Sequence, residues 1–90
     1  MPQAVVDPVE LRRFAHNLKK FCAEMQIALA GLHGQYVSLG DTWRDQEHDR
    51  FRQEFEATMQ VLERFLEVSE DHIPFLLRKA ERIEEYLSQR

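Results

Sequence analysis

The residues able to do chemistry are few: four histidines, one cysteine and several runs of charge. His16, His33, His48 and His72 are scattered along the chain. A zinc site built on helices needs ligands three or four residues apart, with others close by. Only Glu47-His48-Asp49 clusters, and neighbours in sequence point in different directions on a helix. No metal is expected. Cys22 stands alone, which excludes an intrachain disulfide and a cysteine-based metal site. No nucleophile–histidine–acid set, phosphate-cradling glycine loop or opposed carboxylate pair can be picked out, so the sequence assigns no catalytic residue and no cofactor. Arg12-Arg13 and Lys19-Lys20 form one small basic patch in a chain whose formal net charge is -4. That patch reads as a solvated helix face, and no nucleic-acid partner is expected.

The most informative residue is Trp43, the single tryptophan. Tryptophan is costly to expose and valuable at an interface. It either plugs the end of a core or anchors a partner. The elements that position it are helical. Asp7-Pro8-Val9-Glu10 is a helix start, with Asp7 as cap, Pro8 at the first position and Glu10 where a capping box places its acid. Apolar residues then follow 3-4 spacing at Leu11, Phe14, Leu18, Phe21, Met25, Ala28, Leu32 and Leu39. Ala15, Cys22, Leu29 and Tyr36 widen that stripe on one side. Gly40 is the expected stop. Thr42 is the expected cap of the second helix, with Asp45 at its third position. Positions 55, 62, 69, 76 and 83 repeat every seven residues, as do 59, 66, 73, 80 and 87. Their phase survives Pro74, which favours one long second helix, kinked near Pro74, over a short third helix from about Asp71.

The pattern predicts a single all-α domain over residues 1–90. It is an antiparallel two-helix hairpin, with helix 1 about 8–38, a turn at 39–42 and helix 2 about 43–88. Such a hairpin buries little surface alone, yet 43% of the residues are hydrophobic. A partner subunit is expected, giving a dimeric four-helix bundle with Leu18, Phe21, Met25, Leu62 and Phe65 near its core. Folded about Gly40, helix 1 should run out opposite residue 73. The segment after Pro74 should then overhang, leaving Leu76, Leu77, Ile83, Tyr86 and Leu87, with Trp43 at the bend, for partner binding. Met1–Glu10 has neither the cationic start nor the apolar core of a leader, and no apolar run matches a membrane span. The expectation is a chain made in the cytoplasm without membrane insertion, and exported, if at all, without a cleaved signal peptide.

Two resemblances follow. His16-Asn17-Leu18-Lys19-Lys20 resembles the His-Xaa-Leu-Lys-Gly core of histidine phosphotransfer domains, with Lys20 in place of the glycine. It implies a signalling alternative in which His16 accepts a phosphoryl group. The second resemblance covers essentially the whole chain. A helix, a short turn with tryptophan and a helix with phenylalanine eight residues on, in a chain near one hundred residues, is similar to the Trp-Xaa-Gly (WXG) family of type VII secretion, which includes the early secretory antigenic target proteins. Gly40, Trp43 and Asp45 fall on that family's turn and Phe51 on its helix 2 aromatic. Asp45 replaces the motif glycine. The family's tail signal is Tyr-Xaa-Xaa-Xaa-Asp/Glu, whereas Tyr86 is followed four residues on by Arg90. The resemblance implies a non-enzymatic protein that binds other proteins as a homodimer or as a heterodimer with a paralogue. Its further partner would be a secretion ATPase or an effector. The departure at Arg90 keeps open an intracellular structural adaptor unrelated to secretion.

Overall fold

The computed structural model describes residues 6–89. Two helices make up the described chain: α1, Pro8–Leu39, and α2, Gln46–Ser88. No strand occurs among the described residues. α1 starts as the sequence expects. Asp7 is extended, its carboxylate accepts from the Val9 backbone N–H at 2.9 Å, and Pro8 follows in the first turn. α2 runs unbroken through Pro74, without a separate third helix.

The helices run antiparallel, as cross-pairs show. Tyr36 meets Phe55, Phe21 meets Phe65, and Arg12 pairs with Glu84. Arg12 lies near the start of α1, yet its partner is near the end of α2. The expected overhang after Pro74 therefore does not exist. That expectation put the fold axis at Gly40. The cross-pairs instead centre on positions 43 to 48, beyond Gly40, because the bend takes six residues, 40–45, and α2 begins late. Leu76, Leu77 and Ile83 are accordingly half-buried within the hairpin.

The buried line of α1 also differs from the expected main stripe. It is the widening row, Ala15, Cys22 and Tyr36, seven and fourteen residues apart, that is buried. In α2 the buried residues are Met59, Leu66, Ile73 and Ala80, with Ser69 beside them. Ala15 and Ala80 have no exposed surface at all. Small side chains at a helix contact let the backbones approach, so the bulkier residues of the 3-4 stripe are displaced to the side of the hairpin. Burial pushes the Cys22 thiol above its ordinary range, the charge of Glu70 adds to this, and Ser69 opposes it. Cys22 is held as a packed, protonated thiol.

The molecule is long and thin, 68 × 26 × 15 Å, with a radius of gyration of 20.1 Å. A compact domain of this length has a radius near 12 Å by the usual scaling. The chain exposes 7468 Å² of surface. A compact monomer of its mass exposes roughly 5500 Å².

Candidate protein-docking interface

The bend is built by local hydrogen bonding. α1 unwinds in tight turns, Gly40 N–H to the Val37 carbonyl at 3.1 Å, Asp41 to Ser38 at 3.2 Å and Thr42 to Leu39 at 3.1 Å. Gly40 caps α1 in right-handed geometry, with φ -60°, rather than in the left-handed form that favours glycine. Thr42 does not cap α2. Its hydroxyl lies 3.4 Å from the Leu39 carbonyl and closes the end of α1. The cap is Asp45, extended at φ -103° and ψ -177°, whose carboxylate accepts from the His48 N–H at 3.0 Å. α2 thus starts three residues later than the sequence pattern placed it.

Trp43 is half-buried on this bend. Its ring lies 5.1 Å from that of His48 and 5.8 Å from that of Phe51. Phe51 stacks on Phe55 at 5.4 Å, and Phe55 on Tyr36 at 4.5 Å. These separations are those of favourable aromatic pairs. Trp43 and Phe51, both expected at the site, are brought together. Tyr36, His48 and Phe55 are members the sequence reading missed. The spacing 48, 51, 55 on one helix face was the available signal. The Tyr36 hydroxyl is buried without a hydrogen-bond partner. Burial raises its pKa, with the charge of Glu56 adding to this and that of Arg52 opposing it.

The two flanks of the hairpin differ. On one, Phe21 and Phe65 meet edge-to-face at 6.4 Å and remain 43% and 49% exposed. Heptad spacing carries this flank along both helices. α1 adds exposed Phe14 seven residues before Phe21, and the inner row Leu18, Met25, Leu32. α2 adds Phe51 fourteen residues before Phe65, and the inner row Leu62, Leu76 and Ile83. The five residues expected in a dimer core, Leu18, Phe21, Met25, Leu62 and Phe65, thus share one side. Leu76 and Ile83 join its inner row instead of an overhang. Phe14, Phe21, Phe51 and Phe65 are all exposed in the single chain.

The opposite flank is closed by polar pairs. Arg12 with Glu84 and Gln26 with Glu70 bridge the helices, and His33 and Glu63 line one groove. Arg12, Gln26 and His33 sit at heptad intervals, and so do Glu63, Glu70 and Glu84. Leu77 interrupts this row, facing an open groove of ≈ 420 Å³ with Cys22, Ala23, Ile73 and Pro74. Beyond the groove, Tyr86 and Leu87 are exposed at the end of α2, while Arg90 lies outside the described residues. His16 is exposed on α1. No group of three His, Cys, Asp or Glu side chains converges on a metal position among the described residues, and no described helix is long and apolar enough to cross a membrane.

With this geometry in place, the comparisons with known proteins are decisive. The family described as proteins of 100 residues with WXG (WXG100) matches residues 3–86. The chain belongs to the WXG100 family. Crystal structures of EsxB, a secreted protein of Bacillus anthracis strain Sterne, share its fold. A glycine-to-alanine mutant of EsxB is 28% identical with a TM-score of 0.72, covering 93% of this chain and 97% of its own. A glutamate-to-glutamine mutant of EsxB is 27% identical with a TM-score of 0.73, covering 96% of each. No curated protein matches at the same stringency. Membership makes this a small helical secretion-related protein, in a family of non-enzymatic helical proteins that typically form dimers. The motif departure is explained by the cap. Asp45 has negative φ, so glycine's freedom is not required there, and aspartate is the stronger cap.

Proposed function

We propose that this chain is a non-enzymatic binding protein. It pairs through the phenylalanine flank with a second copy into a four-helix bundle, and serves a type VII secretion system as a substrate or adaptor. One observation carries the reading: four exposed phenylalanines line one flank while polar pairs close the other. Fully burying such a side chain contributes about 1.5–3 kcal/mol, and about half of each remains exposed in the single chain, so a partner on that flank adds burial that the thin hairpin core lacks. The contrast between the two flanks supports pairing on the phenylalanine side.

In this reading Trp43, propped by His48 and Phe51, and the exposed Tyr86 and Leu87 are the contacts for the secretion machinery. Export in this reading starts from the cytoplasm. The test is expression beside a type VII secretion ATPase in a host carrying that system. Intact chain in the medium, lost on Trp43→Ala while the purified variant stays folded and paired, supports the reading. Retention of the wild-type chain in a host that exports a known substrate favours the intracellular adaptor instead. That second reading draws on Arg90, which stands where the family's tail signal carries an acid.

A further inference from the structure

α2 carries a third apolar row, which neither the hairpin nor the pairing flank uses. Val61, Val68 and Phe75 stand seven residues apart and are 68%, 37% and 54% exposed. Heptad spacing puts them on one line of the helix, one row beyond that of Phe65 and away from α1. A helix in a four-helix bundle needs an apolar arc that faces its hairpin mate and one helix of the partner. The rows through Met59, Leu62 and Phe65 already supply that arc. The corresponding outer row of α1 is Asn17, Glu24, Gly31 and Ser38, which is not apolar. The extra row therefore belongs to α2 alone.

Its rim is basic in an otherwise acidic chain. One turn from Val68 and Phe75 lie Arg64, Arg78 and Lys79, against the single acid Asp71, while the His72 ring lies 2.8 Å from the Val68 carbonyl. Arg64 also pairs with Glu67 at 3.3 Å. At its two ends the row itself continues into Glu54, seven residues before Val61, and Arg82, seven residues after Phe75, so the basic charge stands beside the Val68–Phe75 stretch.

We propose that this row docks an amphipathic helix of a different protein, one whose apolar seam is flanked by acidic residues. A second copy of this chain does not fit. Its own matching row would set Arg78 and Lys79 against like charge, and its acidic side, with Glu56, Glu63 and Glu70, has no continuous apolar seam. The inference rests on the pairing reading at one point only, that the Phe65 flank is already covered.

Two synthetic helices of about three heptads, with leucine seams flanked by glutamate or by lysine, test it. Their binding to the full-length chain is followed by fluorescence anisotropy, with chain mass read by light scattering in the same buffer. The glutamate helix should bind at least about tenfold more tightly than the lysine helix, and Val68→Asp or Phe75→Asp should weaken it at least about tenfold with chain mass unchanged. Equal binding of the two helices overturns the proposal. So does binding that ignores both variants, or that is lost only on Phe65→Glu, which would put the helix on the pairing flank. Binding of phosphatidylserine vesicles that Phe75→Asp abolishes, with no response to either helix, would make the row a lipid surface and also overturn it. A chain that is monomeric from the outset sinks the pairing reading, while the Val68 and Phe75 variants still decide this one.

Discussion

At the residue scale, Asp45 shows how a motif can lose its defining glycine and keep its turn. The position has extended, negative-φ backbone, and its carboxylate caps α2 through the His48 N–H. Asp45→Ala should cost about 1 kcal/mol in urea unfolding, whereas Asp45→Gly should cost only a few tenths, because glycine is itself tolerated as a cap. An Asp45→Gly loss as large as that of alanine would contradict the capping role. Cys22 and Tyr36 make a second prediction. Both are acids held neutral by burial, with folded pKa values raised above the ordinary 9.0 and 10.0. The unfolded chain therefore gives up these protons first. Stability is fully present below pH 9 and falls as pH rises from 9.0 through 10.0 and beyond. Cys22→Ala should flatten the earlier part of that fall in a series of thermal melts.

At the scale of elements, the two flanks give the next expectation. Phe65→Ala should weaken self-association by roughly 30-fold or more, the response of a central aromatic anchor. Glu63→Gln, on the polar flank, should leave it unchanged; sedimentation of both variants checks this. Much of this level was legible in the sequence. Period and caps gave two helices, and five residues now found on one flank could be grouped from their spacing alone. The register was not legible. It depended on where α2 begins, and two residues compete for that cap, Thr42 and Asp45. Thr42 turns back to the Leu39 carbonyl, which moves the start and erases the overhang inferred after Pro74. Nor could 3-4 spacing alone say which of two adjacent rows in α1 meets α2. Side-chain size decides that, since Ala15 and Cys22 allow the approach that Phe14 and Phe21 forbid. Within the aromatic bend, Tyr36 and Phe55 were visible as stripe residues, but their stacking depended on the same register.

At the scale of the whole molecule, the hairpin is long and thin rather than compact. Its surface of 7468 Å² and its radius of gyration of 20.1 Å both exceed what a compact chain of its length shows. Part of that surface is a flank of exposed phenylalanines, and in the proposed pairing of two such flanks the bends and α2 termini stay open for recognition. Arg12–Glu84 contributes little to this. Both side chains are more than a third exposed, so Arg12→Ala should shift stability by no more than about 1 kcal/mol in urea unfolding. The most direct measurement is the mass of the purified full-length chain by light scattering at micromolar concentration. Pairing requires a particle of twice 10.7 kDa that falls to 10.7 kDa on Phe21→Glu or Phe65→Glu with helix content retained. A wild-type particle of 10.7 kDa with full helix content and a cooperative thermal transition would contradict it.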